Sequence, residues 1–104
     1  MVNQEELFGK LVYLRANYDH GLKIDKKCST QTQDQRNWLF MVGLAIEAGV
    51  RDKILPADLG RGYETVCQNF DNPEMPESVA IMEGITITEN LLEQAIKQIQ
   101  PVPA

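Results

Sequence analysis

The sequence predicts an all-α protein, a small bundle of four longer helices plus one short helix. Three observations carry that expectation. Apolar residues recur at helical spacing in several separate segments. Only residues 79–88 also read as strands, and one isolated hairpin is marginal in water. The chain has 104 residues, 43% apolar and 24% charged, the balance of one ordinary globular domain with a core of its own. Residues 1–100 are expected to form that domain. Residues 101–104, Pro-Val-Pro-Ala, cannot continue a helix and are expected to fray.

The first helix is expected over residues 3–19. Asn3 suits the cap position, Glu6 lies three residues on as in a capping box, and Val2 and Leu7 are spaced for a hydrophobic staple. Leu7, Leu11, Leu14 and Tyr18 make the apolar stripe, widened by Phe8 and Val12. Gly21 is a natural terminator. The second helix is expected over residues 32–48, with Thr32 and Gln35 as another capping box and Gly49 as the stop. Its residues 38–46 are apolar nearly all round, which requires shelter on every side. Gly43 costs helix propensity and so marks a close helix crossing.

Residues 56–70 form the third expected helix, with Pro56 or Asp58 at its start. Leu59, Tyr63, Val66, Cys67 and Phe70 hold a 3.6-residue period, while Gly60 and Gly62 weaken the first turns. Asp71-Asn72-Pro73 should stop it. A short helix over residues 76–84 follows, ended by Gly84; the alternative is a hairpin around Glu83-Gly84. The last helix is expected over residues 89–100, capped by Thr88 and stapled by Ile87 and Leu92. The connection over residues 20–31 is about twice the usual length, and long loops in compact domains are often functional.

Charge narrows the partners. The net charge of −5 divides into +1 over residues 1–53 and −6 over residues 54–104. Phosphate backbones would repel such a chain, and no basic amphipathic face marks a membrane-surface helix. No stretch nears the ~18 apolar residues needed to cross a bilayer, and the first residues lack the features of a secretory signal. A soluble, cytoplasmic protein is expected, binding neither nucleic acid nor membrane directly.

Few constellations could carry chemistry. Cys28 and Cys67 are far apart, and His20 is the one histidine, so no zinc set of four ligands assembles and no metal or cofactor is implied. Cys28, His20, Asp19 and Asp25 share one loop, too loose a scaffold to hold a nucleophile against its base. Glu47 ends the apolar run of the second helix, where a solvent-facing carboxylate is the default. Gly60-Arg61-Gly62 places flexible backbone beside a guanidinium but lacks the Lys-Ser/Thr of a phosphate loop. His20, Lys23, Lys26 and Lys27, with Arg61, are thus the candidates for an anion or partner contact.

Trp38, Phe40, Met41 and Leu44 are the candidates for partner binding. Consecutive helical residues turn by about 100°, so these side chains span too wide an arc for one core. A second subunit would shelter them, and a twofold homodimer is the simplest arrangement; the alternative is that the chain's own helices wrap them. The expected function is therefore non-enzymatic protein–protein interaction or regulation through apolar helix faces, as a dimer. An alternative is an acidic inhibitor or immunity-type protein that occupies a basic nucleic-acid-binding surface on its target. A third is a small enzyme or anion binder built on the 20–31 loop.

Overall fold

The computed structural model describes residues 3–18 and 31–100. They form four helices: α1 (Gln4–Asn17), α2 (Gln31–Arg51), α3 (Ala57–Asp71) and α4 (Glu77–Ile99). No strand occurs among the described residues. The all-α expectation holds, but the fifth, short helix does not exist as a separate element. Nor does the hairpin alternative.

Residues 77–99 make one continuous helix of 23 residues. Ile85, Thr86, Ile87 and Thr88 carry strand propensity, yet helical winding puts Ala80, Ile81, Gly84, Thr88, Leu91 and Leu92 on one buried side. Burial along that face outweighs the local preference of the β-branched residues. Gly84 is not a stop: it sits inside α4, where an added Cβ would stand 3.2 Å from side-chain carbons of both Leu39 and Val66. Its missing side chain lets α4 approach α2 and α3. Thr88 accordingly lies mid-helix and fully buried rather than capping a new helix, and its hydroxyl has no hydrogen-bond partner among the described residues.

The other helix ends follow local chemistry. The Glu6 amide donates to Asn3 Oδ1 at 2.8 Å, the expected cap of α1. Val12, expected to widen the buried stripe, is exposed. Helix α2 begins at Gln31, one residue before the expected Thr32 cap, and runs past Gly49 to Arg51. It ends in a six-residue capping turn. The Ile54 amide donates to the Gly49 carbonyl at 2.8 Å and the Lys53 amide to the Val50 carbonyl at 3.1 Å. Lys53 takes the left-handed position there, with φ of 62°. Helix α3 starts at Ala57, directly after Pro56, and its two glycines do not delay it.

The core lies between all four helices. Leu7, Leu11 and Leu14 come from α1, Leu39, Val42 and Ile46 from α2, Leu59, Tyr63 and Val66 from α3, and Leu92, Ala95 and Ile99 from α4. Gly43 does mark a crossing: an added Cβ would lie 1.9 Å from Tyr63 Cζ. The Tyr63 ring occupies that gap, and its hydroxyl donates to the Leu39 carbonyl at 3.2 Å.

Trp38 corrects one expectation. It is buried inside the chain, its indole N–H donates to the Leu14 carbonyl at 2.8 Å, and its ring lies 5.0 Å from that of Tyr18. It joins α1 to α2 and is not available to a partner in the folded chain. The chain's own helices therefore shelter one flank of the apolar run.

Candidate functional site

The rest of that run faces outward. Phe40 is 36% exposed, Met41 49% and Leu44 67%. At about 100° per residue, Phe40 and Leu44 lie about 40° apart on α2 and Met41 lies beyond them. All three point away from the buried Leu39, Val42 and Ile46. Glu47 follows on the same outward side and is exposed, as a solvated carboxylate would be.

Phe40 also turns toward α3. Its ring centroid lies 5.6 Å from that of Phe70, with the planes tilted by 43°. The Arg36 guanidinium sits 5.8 Å from the Phe40 ring centroid and 5.9 Å from that of Phe70. Arg36 Nη1 donates to Glu77 Oε1 at 2.8 Å, tying the start of α2 to the start of α4. Between these groups a groove of about 540 Å³ opens, lined also by Cys67, Asp71, Met75 and Ala80.

Two groups at or beside the groove, the Cys67 thiol and the Tyr63 hydroxyl, hold their protons more firmly than usual. Burial pushes the Cys67 thiol up, and the Glu47 and Asp71 carboxylates push it further by opposing a thiolate. The Tyr63 hydroxyl is pushed well above its ordinary value, chiefly by burial, with Cys67 and Glu47 adding to it. A protonated, half-buried thiol ringed by carboxylates is a poor nucleophile. The arrangement is suited to gripping apolar groups beside charged ones.

Of the anion candidates, Arg61 is exposed and its guanidinium bonds the Asp58 carboxylate one turn earlier in α3. Gly60 and Gly62 are packing positions within that helix: Gly60 faces Val50, and Gly62 faces Leu91 with room for no Cβ. The Gly60-Arg61-Gly62 segment is thus a helix interior, without the exposed loop backbone that would hold an anion. His20, Lys23, Lys26 and Lys27 lie outside the described residues, as does Cys28. The structure brings Arg61 to none of the α2 candidates, and of those it groups Phe40, Met41 and Leu44.

Sequence reasoning missed Arg36, Phe70, Met75 and Glu77 as lining of one groove. Arg36 and Glu77 are 41 residues apart, and neither carries a local signal of pairing. Phe70 ended a helical stripe, which indicated burial but not its partner. Among the described residues no group of three His, Cys, Asp or Glu side chains could hold a metal ion, and no helix is long and apolar enough to cross a membrane. Comparison with family models, with curated proteins and with solved structures finds no match to this chain.

Proposed function

We propose that this is a cytoplasmic, non-enzymatic interaction or regulatory protein, and that it binds another protein through the outward face of α2. The simplest partner is a second copy. The observation that carries the reading is the exposure of Phe40, Met41 and Leu44 on one side of a helix whose other sides are packed within the chain. Large apolar side chains grouped in this way lose surface to water on association, at about 25 cal/mol per Å² removed. A twofold axis across α2 would bring the same residues of two copies together, which is the commonest route to a small dimer.

Sedimentation velocity over a wide concentration range tests this. The unaltered chain is expected to shift from monomer to dimer as concentration rises. Leu44→Asp places a charge at the most exposed of the three positions and is expected to leave a folded monomer with an unchanged helical spectrum. A chain that stays monomeric at millimolar concentration would defeat the dimer reading.

A further inference from the structure

The geometry points to a second interaction surface, adjoining the first at Phe40: the groove between α2 and α3 receives a basic amphipathic helix of a partner protein. This inference rests on the protein-binding reading but not on self-association through Leu44.

The groove mixes apolar and polar lining, and its apolar part is adaptable. Phe40 and Phe70 lie 5.6 Å apart at a tilt, and Met75 and Ala80 complete the lining. Tilted aromatic pairs beside a methionine accommodate aliphatic or aromatic anchors of varied shape. A volume of about 540 Å³ admits several such side chains, the anchors of one helix face, rather than a whole domain. An amphipathic helix offers anchors at that scale on one face.

The rim selects the charge of the occupant. Asp71 of α3 lines the mouth, and the exposed Glu64 lies one turn before Cys67 on the same helix face. Glu77 stands on the α4 side. Among the described residues Arg36 is the only cation lining the groove, and it is held by Glu77 while lying over both rings. The mouth is therefore net negative and repels anions and acidic segments. A helix with Lys or Arg flanking its apolar anchors meets both demands, since its cations pair with the rim as its anchors enter the floor.

The test uses the monomeric Leu44→Asp protein and a helical peptide of about 18 residues built from leucine and lysine, with leucines at i, i+3, i+4 and i+7. Two controls accompany it: the same leucine pattern with glutamate for lysine, and the lysine peptide scrambled to lose its stripe. The patterned lysine peptide is expected to bind, and the other two are not. Binding is expected to slow alkylation of Cys67, located by peptide mapping. The double variant Glu64→Lys/Asp71→Lys is expected to weaken binding by ~10-fold or more, and Glu5→Lys, exposed at the opposite pole beside the Gln4–Ile99 contact, by less than about twofold. Absence of binding, equal binding of the scrambled peptide, equal weakening by Glu5→Lys, or an unshielded Cys67 in the bound state would each overturn the inference. Loss of the dimer in the unaltered chain would strike only the α2 reading, because the peptide is titrated into the monomer.

Discussion

Replacing Gly43 with alanine is expected to destabilise the bundle even though alanine is the better helix former. The added methyl would lie 1.9 Å from Tyr63 Cζ, 2.2 Å from its hydroxyl oxygen and 2.3 Å from Cε1. Tyr63 is buried and cannot swing into solvent. Either the ring shifts by more than an ångström, and the bond to the Leu39 carbonyl is lost, or α2 and α3 move apart. Overpacking of this kind costs ~1–3 kcal/mol, and the lost hydrogen bond about 1 more. Helix propensity returns about 1 kcal/mol. The net is a loss of ~1–3 kcal/mol, which in a domain of this size lowers Tm by roughly 5–20 °C. Gly9→Ala is the control, since an added Cβ there meets nothing within 4 Å. It is expected to stabilise by up to about 1 kcal/mol. Urea unfolding followed by the fluorescence of Trp38 and by far-ultraviolet dichroism measures both. Introducing Gly43→Ala into a Tyr63→Leu background is expected to cost much less than in the unaltered chain. A Gly43→Ala protein as stable as the parent would show that the close approach of α2 and α3 does not exist.

Other positions give equally direct tests. Lys53 holds a left-handed backbone conformation with φ of 62°, so Lys53→Gly is expected to raise stability by about 1 kcal/mol, and a loss on chemical unfolding would contradict the capping turn. The buried, unpartnered hydroxyl of Thr88 predicts that Thr88→Val stabilises by ~1 kcal/mol, whereas a substitution that destabilises would imply a hidden hydrogen-bond partner. For Cys67, burial and then the nearby carboxylates disfavour the thiolate, so alkylation of this cysteine is expected to rise with pH at values above those of an ordinary free thiol. Glu47→Gln removes one opposing charge and is expected to move that midpoint down; a midpoint at or below the ordinary value would refute the burial.

Much of the fold was legible because the helix signals are local. Asn3 announces its cap through a side chain three residues from its partner, and the stripes of α1 and α3 name their own buried faces. The crossing at Gly43 was readable for the same reason, as a costly residue in a strong helix. Gly84 shows the limit. Its sequence context resembles that of a helix stop, but its role depends on Leu39 and Val66, which are distant in the chain. Trp38 failed similarly: local periodicity could not reveal that the Leu14 carbonyl and the Tyr18 ring accommodate it. Of the candidate site, exposure at Met41 and Leu44 followed from the breadth of the apolar arc. The groove did not, because it is assembled by Arg36 and Glu77 across three helices.

The Gln4 side-chain amide donates to the Ile99 carbonyl at 3.2 Å, so the first described helix begins where the last one finishes. Along α4 that meeting point is about 33 Å from Glu77, at the other pole of the molecule. A short linker joining the start of α1 to the end of α4, with the chain opened in the turn after α2, is expected to give a permuted protein that refolds to the same four helices. Anything joined directly to the start of α1 or the end of α4 would sit at that pole, with the aromatic cleft at the opposite one.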